Sequence, residues 1–217
     1  MKFINLPPTA NEQGVRMGKI KIIGLTGGSG AGKSEVCKAF LSFGIESIDT
    51  DKISREVTHK DSDCLVELVE NFSDVILTED GELNRRKLFD IAFESKESIN
   101  LLNKITHKHI LNESNRIISN MQNSGSKAVI VDAPLLFESG FDKTCDIIIS
   151  VIANLDKRIE RIIKRDNITQ EQFELRVKNQ KRDEFFIENS DYVIYNNSDY
   201  AVLYTQVSRI YNSVWGN

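Results

Sequence analysis

Gly27-Gly28-Ser29-Gly30-Ala31-Gly32-Lys33-Ser34 fills every fixed position of the phosphate-binding pattern G-x-x-x-x-G-K-[ST]. Glycines in that pattern let backbone N–H groups close around phosphate oxygens, and a helix starting there adds partial positive charge. Lys33 can reach the outer phosphates, and the Ser34 hydroxyl can hold Mg²⁺. The chemistry is binding of a nucleoside triphosphate. Asp49-Thr50-Asp51 offers a second chemistry. Beside a triphosphate, one carboxylate can hold Mg²⁺ directly or through water, and the other can accept a proton from an attacking hydroxyl. The same spacing suits a solvated turn with two ordinary aspartates, and D-x-D alone does not decide between them. A third cluster is basic: Lys157, Arg158, Arg161 and Lys164, then Arg165 beside Asp166, then Arg176, Lys181 and Arg182. Such a run is usually a solvated helix face. Phosphoryl transfer also needs cations for the charge spread over the moving group. Some of these arginines are expected to serve it, and most to lie at the surface.

These groups need elements to position them. Ile20–Leu25 reads as a buried strand, and Val36, Ala39, Phe40 and Phe43 recur at helical spacing, so the glycine run sits between a strand and a helix. Ile45–Ile48 is a short second strand running into Asp49. If the chain is still extended there, Asp49 and Asp51 project from one face. Leu65, Leu68, Val69 and Phe72, then Leu88, Ala92 and Phe93, then Ile99, Leu102, Ile105, Ile110, Ile117 and Met121 predict a mainly helical middle region with turns at its breaks. Asp80-Gly81 marks one turn. Ala128–Val131, Ile147–Ile152 and Tyr192–Tyr195 are apolar runs expected of parallel strands. Helices are predicted from about Asp156 and about Gln170, the second with capping-box spacing between Thr169 and Gln172. Leu203, Val207, Ile210, Tyr211 and Val214 mark a last helix. Five strands with helical crossovers predict an α/β fold of three layers, an open parallel sheet with its site at the carboxyl ends of the strands.

The chain has 217 residues and a formal net charge of −4, which gives no general electrostatic reason to bind nucleic acid. Cys37, Cys64 and Cys145 are far apart and form no C-x-x-C pair, which argues against structural zinc or a disulfide framework. No apolar run approaches membrane-spanning length. A cytoplasmic protein without membrane or nucleic-acid partners is expected. Residues 1–18, with Pro7-Pro8, read as an N-terminal extension outside the fold. His107 and His109 lie two apart on a predicted helix, so they point in different directions and do not make a metal pair. Asp132 either holds a metal through water or hydrogen-bonds Ser34 or backbone, Glu138 either touches substrate or braces a loop, and Trp215 reads as packing.

Gly24-Leu25-Thr26 with the P-loop, Ile48-Asp49-Thr50-Asp51 with Arg55, and Asp80-Gly81-Glu82-Leu83 with Arg85 together resemble the dephospho-coenzyme A kinase family. So do Leu102–His107, Asp132-Ala133-Pro134-Leu135-Leu136-Phe137-Glu138, Arg161 with Arg165-Asp166, and Asp191 through Asn196-Asn197. The match runs in order from about Lys19 to near the C-terminus. The resemblance implies a P-loop kinase-like fold with a helical substrate-binding insertion and a helical lid. It implies a core of residues 19–51, 126–155 and 187–217, an acceptor domain of 52–125 and a lid of 156–186. It further implies ATP-dependent phosphorylation of the ribose 3′-hydroxyl of dephospho-coenzyme A with Mg²⁺, the last step of coenzyme A biosynthesis. The sequence leaves the oligomeric state open, with a monomer favoured. Carried over by position, Asp51 would be the base, Ser34 and Asp49 would organise Mg²⁺, and Lys33, Arg161 and Arg165 would be catalytic cations. Gly28, Ser29, Gly30, Ala31, Gly32, Lys33, Ser34, Glu35 and Asn196 would bind ATP. Arg55, His107, Leu136 and Glu138, with Asp51, would bind the acceptor. The chain departs from the family pattern at Thr50 (alanine is usual), Lys108 (proline), Glu35 (threonine) and Ser198 (glycine).

Overall fold

The computed structural model describes residues 19–178 and 180–216, so the predicted extension of residues 1–18 lies outside the described residues. Two compact units are present: one takes in the described residues up to Ile48 and from Ile118 onward, the other Asp49–Ile117.

The first unit is built on a five-stranded parallel sheet in the order β2-β3-β1-β4-β5. β1 (Lys21–Thr26) is central, with Gly24 in register with Val131 of β3 (Ala128–Asp132) and Ile148 of β4 (Ile147–Ile152). Strands covered on both faces have no polar side to show, which is why β3 and β4 are almost continuous apolar runs. β4 pairs in turn with β5 (Tyr192–Tyr195), and β2 is Glu46–Asp49. Helix α1 (Lys33–Leu41) turns Val36, Ala39 and Phe40 inward onto Ile23, Leu25, Ile130 and Val151. Fully burying one such side chain contributes roughly 1.5–3 kcal/mol. The C-terminal helix α9 (Tyr200–Trp215) adds Leu203, Val207 and Ile210 to the same core, and Asp199 caps it by accepting from Val202 N–H. Phe43 stacks on Tyr211 at 4.5 Å between ring centres, and Tyr211 lies 5.1 Å from Trp215, so the predicted packing role of Trp215 is what the structure shows.

The second unit is helical: α2 (Thr50–Val57), α3 (Asp63–Phe72), α4 (Arg85–Ala92) and the first part of α5 (Lys96–Asn123). Cys64, Leu68, Phe72, Ile76, Leu88, Ala92 and Ile105 form its core. The turn at Asp80-Gly81 lies between Leu77 and Leu83, which pair as an isolated antiparallel bridge. The predicted breaks near the end of this region do not occur. α5 is one continuous helix of 28 residues, because Thr106, His107 and Lys108 interrupt the apolar pattern without interrupting the backbone ladder. A lysine at 108 supplies the backbone N–H that a proline would lack.

The remaining helices belong to the sheet unit: α6 (Leu155–Asp166), α7 (Gln170–Lys178) and α8 (Asp183–Glu188), the last not foreseen. The capping box before α7 is present in both directions: Gln172 N–H donates to the Thr169 hydroxyl, and Thr169 N–H donates to Gln172 Oε1. None of the described helices is long and apolar enough to cross a membrane.

Candidate active site

In the sheet unit, β1 leads into the glycine run and α1 begins at Lys33. Gly32 caps that helix in the left-handed region, at φ 97°, and a Cβ there would strike the amide of Asn196. Only glycine fits both the backbone and the space. Lys33 is largely buried, and its Nζ lies 3.8 Å from Asp132 Oδ1 at the tip of β3. For Asp132 this ion pair is neither of the two roles left open: it holds the lysine head near the strand ends. Ser34 is exposed in the first turn of α1, and the exposed Lys38 ammonium pairs with Glu35.

The basic run divides sharply. Arg158, expected on a solvated face, is buried, with 6% of its surface exposed. Its Nε donates to Ser29 C=O at 2.9 Å, and its Nη1 is 3.5 Å from Asp183. Burial pulls the guanidinium pKa down from its ordinary value and Asp183 opposes the shift, yet an arginine stays charged. Arg161 gives its guanidinium to three backbone carbonyls: Gly30, Ala31 and Asn196. Asn196 is itself buried, donating its side-chain amide to Ala31 C=O and its N–H to Ile152 C=O. Asn197 Oδ1 accepts from Asn154 N–H. The asparagine pair therefore ties the exit of β5 to the exit of β4 and to the back of the glycine loop. Arg165 is different. It is exposed and forks onto Asp166 at 2.6 and 3.1 Å, while Arg176 approaches the other side of the same carboxylate. Those two arginines, Arg165 first, hold the Asp166 carboxyl well below the usual carboxylate range.

After β3, Leu136 is wholly buried; the space a Cβ on Gly24 would need is taken by Leu136 and Cys145. Its neighbours Leu135 and Glu138 are exposed and face solvent, so any acceptor surface here comes from them. Burial pushes the Cys145 thiol up to about 12, which keeps it protonated.

In the helical unit, Asp49 and Asp51 do not share an extended segment. α2 begins at Thr50, and Asp49 Oδ1 caps it by accepting from Asp51 N–H at 2.8 Å and Lys52 N–H at 3.2 Å. The Asp51 carboxylate stands in the first helical turn, exposed, where the helix dipole favours negative charge. Arg55 is exposed in the last turn of the same helix, and His107 is half-buried on α5. Arg85 donates to the buried Thr58 hydroxyl at 2.6 Å. Glu67 on α3 accepts from both Lys108 and His109, and these contacts, Lys108 first, hold its carboxyl below the usual range. Sequence reasoning overlooked Gln180 and the burial of Arg158. Their partners lie up to 151 residues away, and no local pattern signals them.

Comparisons with known proteins agree with one another. The family model described as "Dephospho-CoA kinase" matches residues 21–201. A dephospho-CoA kinase from Fusobacterium nucleatum is 39% identical over 195 residues, spanning 90% of this chain and 99% of that protein. One from Corynebacterium efficiens is 38% identical over 87% of this chain and 94% of its own length. Among solved structures, a Thermus thermophilus protein matches with a TM-score of 0.80 at 22% identity, over 92% of this chain and all of that one. A dephospho-CoA kinase from Campylobacter jejuni matches with a TM-score of 0.64 at 24% identity, over 89% of this chain and 96% of that one. At those identities the structural likeness speaks to the fold.

Proposed function

Because the chain belongs to the dephospho-CoA kinase family, we propose the following division of labour for its reaction, phosphoryl transfer from ATP to the ribose 3′-hydroxyl of dephospho-coenzyme A. The observation that carries this reading is the unbroken family match over residues 21–201, which takes in the glycine loop, the Asp49–Asp51 segment and the helical unit together.

The loop from Gly28 to Glu35 binds the triphosphate through backbone N–H groups other than that of Ser29, which Gln180 holds, and through the α1 N-terminus, with Lys33 on the outer phosphates. Its restrained position beside Asp132 supports that role. Asp51 takes the proton of the 3′-hydroxyl as the oxygen bonds to the terminal phosphorus and the bond to the ADP oxygen breaks. Its exposed carboxylate in a helical first turn supports a group that substrate can reach. Arg55, His107, Leu135 and Glu138 bind the acceptor, with Leu136 packing beneath. Arg165 is the cation that comes to the moving phosphoryl, leaving Asp166 to Arg176. Arg161 and Asn196 act on ATP through the loop they brace, since their polar groups meet its carbonyls.

The oxygen donors of Ser34 and Asp49 suit Mg²⁺ in kind, since that ion keeps most of its waters and takes few protein ligands beyond substrate phosphate. Ser34 would hold it directly and Asp49 through water, the Asp49 Oδ1 being engaged in capping. When bound, Mg²⁺ would supply positive charge for the outer phosphates. The three cysteines are free thiols, which supports a reducing cytoplasm, and the net charge of −4 supports the absence of a nucleic-acid partner. We favour a monomer.

The test incubates the protein with Mg-ATP and a panel of acceptors (dephospho-coenzyme A, nucleosides, nucleoside monophosphates), following ADP and phosphorylated product by mass. Selective consumption of dephospho-coenzyme A is expected. Selective phosphorylation of a nucleoside, or binding without turnover, would overturn the reading.

A further inference from the structure

Gln180 lies between α7 and α8, and its Oε1 accepts two hydrogen bonds: from Ser29 N–H at 3.0 Å and from Arg158 Nη2 at 3.1 Å. Arg158 Nε closes the ring by donating to Ser29 C=O at 2.9 Å. Both backbone polar groups of Ser29 are thus held by the segment from α6 to α8. The packing is as tight as the hydrogen bonding. A Cβ on Gly28 would strike the guanidinium of Arg158, and one on Gly30 would lie 2.8 Å from the Arg158 carbonyl oxygen. Gly28 has no left-handed backbone to explain it, so what requires glycine there is the arginine.

We propose that Gln180 and Arg158 are positioning residues for the nucleotide, a latch that fixes the crest of the glycine loop in its binding shape before ATP arrives. The latch touches no substrate. It fixes the Ser29 peptide, so the neighbouring N–H groups are aligned in advance and ATP binding carries less ordering cost. The glutamine acts only as an acceptor, one oxygen serving two donors. A carboxylate in its place keeps that function, and an apolar side chain without an acceptor loses it. This inference rests on the phosphate-binding role proposed for the loop, and not on the identity of the acceptor.

The experiment compares Gln180→Leu, Gln180→Glu and Gly28→Ala with the parent. Equilibrium binding of ATP and ADP is measured by calorimetry, with kcat and KM for ATP under saturating dephospho-coenzyme A. Gln180→Leu should raise the Kd for both nucleotides and the KM for ATP about tenfold, the loss of hydrogen bonds involving a charged group. Its kcat at saturating ATP should stay within about twofold, since the bound state restores the loop. Gln180→Glu should lie within about threefold of the parent in Kd, its carboxylate accepting the same two bonds. Gly28→Ala should weaken nucleotide binding at least as much as Gln180→Leu by displacing the guanidinium. Unchanged binding in Gln180→Leu, equal impairment in Gln180→Glu, or a loss in kcat rather than in binding would each overturn the latch. If the parent binds ATP but ignores dephospho-coenzyme A, the proposed acceptor fails while the binding series still judges the latch.

Discussion

The sheet unit and the helical unit use charge in opposite ways. In the sheet unit, Arg158 and Arg161 are turned inward and bonded to the backbone of the glycine loop, and glycines at 28 and 32 leave room for the groups that hold it. In the helical unit, the charged pairs lie at the surface: Lys52 with Glu56, Arg116 with Glu113, and Glu67 with Lys108 and His109. The first two lie within single helices, and the third joins α3 to α5 beside a small apolar core. The contrast teaches what each job demands. A triphosphate must be met by backbone N–H groups whose directions are fixed, and desolvated arginines with several carbonyl acceptors fix them. A helical platform can be held by apolar burial, with solvated pairs adding little.

The sharpest way to break that contrast is at the chemistry itself. Asp51→Asn should lower kcat by about 10²–10⁴-fold, the usual reach of a general base, while ATP affinity changes by less than about twofold. Steady-state kinetics beside direct ATP binding measures both; near-normal turnover would remove Asp51 as the base. Lys33→Ala should cost about 10²–10³-fold in kcat/KM for ATP and also weaken binding, because the role proposed for it is to touch phosphate in ground and transition states alike. Unchanged kinetics there would contradict a working glycine loop.

Smaller effects sharpen the comparison. Arg161→Leu removes the donor to three carbonyls and should lower unfolding free energy by about 2–3 kcal/mol, read from urea titration. Glu67→Gln should lower Tm only slightly. Its sign follows from the depressed carboxyl. The stabilisation contributed by the charged form is complete above the ordinary value of 4.5 and is lost as pH falls through the lower folded value. The Tm difference between parent and variant should therefore be largest near neutral pH and shrink toward about pH 3, and added salt should reduce it. A difference that grows on acidification would reverse this account.

Most of the sheet was legible because its signals are local. Ala128–Val131 is an uninterrupted apolar run, Ile147–Ile152 is broken only by Ser150, Tyr192–Tyr195 is wholly aromatic and β-branched, and Thr169 with Gln172 spells a capping box within one turn. The glycine loop could be read for the same reason. What escaped depends on partners distant in the chain. α5 reads as broken near His107 because its polar stretch answers to Glu67 on another helix, about forty residues earlier. Arg158 reads as surface because its acceptors, Ser29 and Gln180, come from different parts of the chain. Asp49 shows a subtler failure. Asp-Thr-Asp before Ile53 is also a helix-start signal, and the local role of Asp49 as a cap took the oxygen that a strand-based reading would have aimed at a metal.

The stack from Phe43 through Tyr211 to Trp215 gives the molecule a private optical channel. Trp215 is the only indole in the chain, so its emission monitors the seam where α9 meets the end of the helix that the glycine loop starts. Backbone dichroism, in contrast, reports the helices of both units together. A denaturation followed by both signals separates the two units in one cuvette: superimposed curves mean they melt together, and a dichroic loss that precedes the change in emission means the helical unit gives way while the sheet unit around Trp215 still stands.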